Sequence, residues 1–202
     1  MAIVVLLCAA GLTAEAARVH RLRPARKDEK GKWQPAEVLR QMQSGVTLQI
    51  RYLETQKSLD LIAAALGRSV PLIRGRSSGM DPGHLVFLLQ VNNDSPADVH
   101  FNPAQVRMAS DKGDMMVALD YSAFYSLSRP LGPLAPTMEE VASIFFDRAV
   151  TIRPGGSVRK LLAFEAPHDH RFKSVVVKMH EVNIGPQAVE FSFPFRKFVE
   201  KK

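Results

Sequence analysis

The chain has 202 residues, 46% of them hydrophobic and 23% charged, with a formal net charge of +7. That length accommodates one domain with a sizeable core, and the composition is globular rather than disordered, collagen-like or coiled-coil. A single cysteine excludes a disulfide framework and a cysteine-ligated zinc site, and no apolar run reaches the roughly 18–20 residues of a membrane-spanning helix.

Ile3 to Leu12 is an apolar run of signal-peptide length, and Ala14-Glu15-Ala16 supplies the small-x-small pattern of a cleavage site. The sequence therefore predicts a signal peptide over residues 1–16, cut after Ala16, and an exported protein that is periplasmic or envelope-associated. No Lys or Arg precedes the run. Cys8 follows Leu7, which is the wrong size for a lipidation signal, so Cys8 reads as one more apolar residue of the leader. The mature chain then has no cysteine, which suits an oxidising compartment.

Positive charge is concentrated just behind this segment. Residues 17–40 carry eight bases and three acids, a net +5, whereas residues 41–202 carry only +3. Residues 17–44 read as a basic N-terminal arm with a short helix, opened by Pro35, with Val38 and Met42 on one face and Ser44-Gly45 as its stop. Such an arm is either a solvated terminus or a holder of an anionic membrane surface or wall polymer. Apart from Trp33 it offers no aromatic stacking positions, so no nucleic acid is expected.

Strand patterns dominate residues 45–198, read as one β-sandwich domain. Val46, Leu48, Ile50 and Tyr52 alternate with polar neighbours as in a half-buried strand. In residues 54–66 the period changes: Leu59, Ile62, Ala63 and Leu66 share a helical face, and Gly67 ends the helix. Residues 67–83 are loop. His84 to Val91 is nearly all apolar, the mark of a central strand buried on both faces. Asn92-Asn93-Asp94-Ser95-Pro96 is a turn. Val99 to Met108 returns as a strand bent at Asn102-Pro103, and Met115 to Tyr121 is a third. After a loop over 128–136, Thr137 and Glu140 form a capping box for a helix with Val141, Ile144 and Phe145 inward. Ala149 to Ile152, Val158 to Phe164, Lys173 to Met179 and Val189 to Phe195 complete the strands, with Pro154-Gly155-Gly156 as a tight turn. The pattern predicts a mainly β protein, an immunoglobulin-like β-sandwich of about seven or eight strands with two or three short peripheral helices.

The runs His84–Ser95, Val99-His-Phe-Asn-Pro, Leu119-Asp-Tyr, Arg153-Pro-Gly-Gly-Ser-Val, Leu161-Leu-Ala-Phe-Glu and Phe191-Ser-Phe-Pro-Phe together resemble a family of bacterial exported and lipoprotein-like proteins. The resemblance covers roughly residues 45–196. It implies an immunoglobulin-like sandwich at the cell envelope and carries over no catalytic residue. Unlike the lipoprotein members, this chain has no lipidation signal at its cysteine.

Candidate chemistry is sparse. His168-Asp169-His170 is the best metal candidate, because residues i and i+2 on an extended strand share a face and two imidazoles there suit Zn or Cu. Its position between strands, after Pro167, instead favours a solvated turn. Asp120-Tyr121 reads as a buried acid bonded to backbone amides, or as a ligand contact. The pair Glu139-Glu140 is explained by the helix cap. No nucleophile elbow, zinc-protease helix, phosphate loop or Ser-x-x-Lys occurs. The expectation is therefore no catalytic residue, no cofactor and no metal, in a non-enzymatic binding or scaffolding module recognising an envelope protein partner. The alternative is an exported binder of a small ligand, a metal or a polyanion.

Overall fold

The computed structural model describes residues 19–73 and 83–200. The expected signal peptide over 1–16, with Cys8, and the middle of the loop over 67–83 lie outside the described residues.

The described chain is 48% strand and forms a mainly β sandwich of two antiparallel sheets with three short helices. In chain order the elements are β1 (Val19–Lys27), β2 (Trp33–Pro35), β3 (Leu39–Gln43), β4 (Val46–Leu53), α1 (Thr55–Leu66), β5 (His84–Asn93), β6 (Val99–Phe101), β7 (Val106–Ser110), β8 (Met115–Val117), α2 (Tyr121–Ser128), α3 (Met138–Ile144), β9 (Val150–Ile152), β10 (Ser157–Glu165), β11 (Ser174–Ile184) and β12 (Gln187–Glu200). The smaller sheet runs β10-β5-β4-β3. The larger has eight strands, β2-β1-β12-β11-β6-β9, with β7 pairing β11 and β8 pairing β7.

Twelve strands replace the expected seven or eight. Three of the additional ones, β1, β2 and β3, lie within residues 17–44, which hold strands and not the expected basic arm with a short helix. β1 pairs β12 from Val19 opposite Glu200 to Pro24 opposite Phe195. Leu22 and Pro24 are buried while Arg21 and Arg23 alternate with them, a period of two that the long cationic side chains obscure in sequence. No helix forms between Pro35 and Ser44. β3 and β4 are instead a hairpin whose Ser44 and Gly45 both adopt positive φ, 48° and 76°. A polar residue followed by glycine ends helices and also closes two-residue hairpins, and here the second role applies. The remaining strand arises because Pro103 splits the expected 99–108 strand into β6 and β7 through a short 3-10 turn.

Two cores flank the smaller sheet. Leu85, Phe87, Leu89 and Val91 of β5 face the larger sheet, packing with Val46, Leu48 and Ile50 of β4 and with Val189, Phe191, Phe193 and Phe195 of β12. Val86 and Leu88 face the other way, into a second cluster with Ile62 of α1, Phe124 of α2 and Val141, Ile144 and Phe145 around α3. The molecule is thus three layers deep: helices, small sheet, large sheet. β5 is buried on both faces because it lies in the middle layer, which explains its nearly continuous apolar run. Phe145 and Phe146 lie in extended backbone just beyond α3, so they point to opposite sides, one into each core.

The capping box is present: Thr137 Oγ1 accepts from Glu140 N, and a Glu140 carboxylate oxygen accepts from Thr137 N. The end of the expected 115–121 strand is instead α2, started by Asp120, whose carboxylate accepts from Ala123 N at 3.0 Å.

Candidate functional site

Each sheet must deal with its edges, because an unpaired edge is a template for another strand. In the smaller sheet the β10 edge is covered. Phe146 N donates to Leu161 O at 2.8 Å, and Leu119 N donates to Ala163 O at 2.8 Å. The β3 edge is clamped to the larger sheet by side chains. The Gln41 amide donates to Ser192 O at 2.7 Å and accepts from Ser192 N at 3.2 Å, and the Gln43 amide donates to Glu190 O at 2.6 Å.

β8 is handled differently. Ser110 N donates to Asp114 O at 2.9 Å and Ala118 N to Val106 O at 3.3 Å, which fixes the alternation along the β7–β8 ladder. Met115 and Val117 fall at its non-bonded positions, so their N–H and C=O groups point away from β7. β10 meets this edge at its far end, where Ala118 bridges Phe164 and Leu119 N donates to Ala163 O, so Met115 is the residue whose outward groups no strand among the described residues takes up. Both side chains are well exposed, Met115 at 68% and Val117 at 53%. Met115 continues an apolar row across the outer face of the larger sheet through Ala109, Val176 and Pro194, whereas Val117 lies opposite Arg107.

Beside this edge lies a groove of about 340 Å³. Met116, Leu119 and Ala123 give it an apolar floor, and Asp114, Asp120, Glu165 and His168 line its sides. Asp114 accepts from Ser110 Oγ at 3.1 Å and Asp120 caps α2, so both carboxylates are held in place. An extended segment laid along β8 would place alternate side chains over the exposed Met115 and Val117 and into this acid-lined groove.

The expected metal candidates are not brought together as a ligand pair. The segment 168–170 is a turn beyond β10, not an extended strand. His168 turns to the groove, while the carbonyl of His170 accepts from Lys197 Nζ at 2.9 Å. Asp169 between them is bound to Arg171, whose side chain and backbone N–H donate to it and hold its carboxyl down at about 2. Among the described residues no group of three or more His, Cys, Asp and Glu is placed to hold a metal ion. His100 Nδ1 meets Thr151 Oγ1 at 3.0 Å, and His180 faces Glu190 at 3.3 Å, both in strand positions. Asp120 does bond a backbone amide, but it is exposed and serves as a helix cap.

Arg21, Arg23, Arg26 and Lys27 are built into β1. Arg21 pairs with Glu54 at 3.0 Å, and Lys27 and Arg196 lie on Trp33, each 5.3 Å from the ring centre. Sequence reasoning missed the β8 edge because Met115-Met116-Val117 reads as an ordinary interior strand. Its open part, at Met115, lies beyond the reach of β10, which meets the chain at Ala118 before it departs into α2 at Asp120. No helix among the described residues is long and apolar enough to cross a membrane.

In sequence, no known protein family and no curated protein matches the chain. Among solved structures the chain is similar to the YjhA protein from Bacillus subtilis, with a TM-score of 0.43 and 8% identity over 76% of this chain and 93% of that one.

Proposed function

We propose that the protein is a non-enzymatic binding module of the bacterial cell envelope that captures an extended segment of a protein partner along β8. The observation that carries this reading is the open edge itself. Met115 turns its backbone groups outward, and its exposed side chain and that of Val117 border a groove with an apolar floor. Main-chain hydrogen bonds to the edge would supply affinity, and the groove would supply specificity. Its three carboxylates favour a segment carrying Lys or Arg. The apolar leader Ile3 to Leu12 with Ala14-Glu15-Ala16 supports export, and N-terminal sequencing of the native protein is expected to begin at Ala17.

The test selects extended peptides from a displayed library on the purified domain, then follows amide exchange. Bound peptide is expected to protect the Met115 amide. Met115→Pro removes an outward donor without touching the ladder to β7, so it is expected to abolish capture while the domain stays folded. Selected peptides that leave the Met115 amide unprotected, or that bind Met115→Pro as well as the parent, overturn the proposal.

A further inference from the structure

The helical layer covers only part of the outer face of the smaller sheet. Leu53, Val86, Leu88, Leu161 and Ala163 lie beneath it. The next row is in register across all four strands: Arg40 opposite Gln49, Gln49 opposite Gln90, and Gln90 opposite Arg159. Arg51 stands on the same face, opposite Leu88. Arg40, Arg51 and Arg159 are exposed, and none has an ion-pair or hydrogen-bond partner among the described residues. Four arginines elsewhere are paired with acids: Arg21 with Glu54, Arg68 with Glu140, Arg148 with Asp147 and Arg171 with Asp169. Arg40, Arg51 and Arg159 instead stand together on one sheet face, and the field they share attracts anions.

Between Arg51 and Arg159 the face dips into a depression of about 280 Å³, lined also by Gln49, Gln90, Leu88 and Val38, with Glu37 as its one acid. Gln90 is held by a bond from its amide to Asn92 Oδ1 at 2.9 Å, whereas the Gln49 amide has no partner and keeps a donor and an acceptor for a ligand. Leu88 and Val38 supply a small apolar floor. No aromatic ring is among the lining residues, so the face has no platform for stacking a sugar.

We infer that this face binds an acidic peptide segment, as a second surface independent of the β8 edge. Arg51 and Arg159 are separated by two strand spacings and two residues, about 12 Å in all. An extended peptide places residues i and i+4 about 13 Å apart with i+2 between them on the same side. The matching ligand thus carries a carboxylate, an apolar residue and a second carboxylate at alternate positions. The carboxylates engage the two guanidinium forks, the apolar side chain rests on Leu88 and Val38, and the peptide backbone meets the Gln49 amide.

The probe is a fluorescent peptide of three Glu-Ser-Leu-Ser repeats closed by Glu, titrated by anisotropy into the purified domain at low salt. Binding is expected, and Arg51→Gln with Arg159→Gln is expected to weaken it at least tenfold at an unchanged melting temperature. Lysine at the same two positions should restore only part of the loss, because the bidentate fork is missing. Arg107→Gln with Lys178→Gln on the opposite sheet, and Met115→Pro at the β8 edge, should each leave affinity within twofold. Equal binding by the Arg51/Arg159 double variant overturns the inference. So does tighter binding of polygalacturonate or anionic vesicles through those same arginines, which would make the face a polysaccharide or lipid site.

Discussion

Asn93 Nδ2 donates to the carbonyl of Ile152 at 2.8 Å, joining the last residue of β5 in the smaller sheet to β9 in the larger. The rest of the residue is equally engaged. Its amide also donates to Ala97 O at 2.8 Å, and its Oδ1 accepts from Ser95 N and Ser95 Oγ. Its backbone N donates to Gly156 O at 2.9 Å and its carbonyl accepts from Gly155 N at 2.7 Å. Asn93 is fully buried, so each of these bonds replaces one that water would otherwise make.

Asn93→Ala is therefore expected to destabilise the fold by roughly 2–4 kcal/mol, because it removes the side-chain donor to Ile152 O and the acceptor of Ser95 N at once, while Ser95 Oγ keeps its bond to Ala97 O. Urea unfolding checks this. A change below about 0.5 kcal/mol would mean that the joint contributes little.

Phe193 lies in the core between the sheets and has no exposed surface. Phe193→Ala is expected to cost about 3–5 kcal/mol, the usual penalty for emptying a buried aromatic site. Chemical denaturation gives the number directly, and a neutral result would remove Phe193 from the core.

Gly45 sits at φ +76°, and a Cβ there would meet Ser95 Cα at 3.1 Å. Gly45→Ala thus combines a left-handed backbone with a close approach and is expected to cost about 1–3 kcal/mol. Ser44→Asn keeps positive φ with a residue that tolerates it and is expected to be neutral or mildly stabilising. Melting curves of the two variants should move in opposite directions or only the first should move. A drop for Ser44→Asn as large as that for Gly45→Ala would contradict the turn geometry.

The Asp169 carboxyl is held at about 2, against 3.8 ordinarily, by the Arg171 side chain and backbone N–H. It ionises more readily folded than unfolded, so the native state gains from it above the ordinary value and loses that gain as pH falls from about 4 to about 2. Asp169→Asn is expected to flatten stability over that window and leave the slope near neutrality unchanged. A carboxyl resonance titrating near 4 by NMR would refute the assignment.

What was legible in the sequence followed from how many faces an element buries. β5 announced its position in the middle layer because both faces are apolar. β12 alternated visibly because only one face of it packs, and the Thr137–Glu140 box marked α3 through backbone chemistry that needs no partner. β1 was hidden because Arg21 and Arg23 alternate with its buried Leu22 and Pro24, so charge outweighed periodicity. The hairpin at Ser44-Gly45 was read as a helix stop because both structures want positive φ there. The candidate site was the least legible part. An edge is defined by which strand fails to arrive, and the isolation of β8 depends on a chain path set by α2 and β10. Similarly, Asn92–Ser95 and Pro154–Gly156 read as two separate turns, and only the fold shows that Asn93 binds the second turn through its backbone.

Val19 lies opposite Glu200, so the first and last described strands are neighbours in the larger sheet. That pairing has a kinetic meaning. Among the described strands β12 is the only bridge between β1 and β11, and without it the sheet falls into two pieces that share no ladder. Contacts of such long sequence separation form late. A nascent chain would therefore hold β1 paired only to β2 until residues 187–200 had emerged from the ribosome.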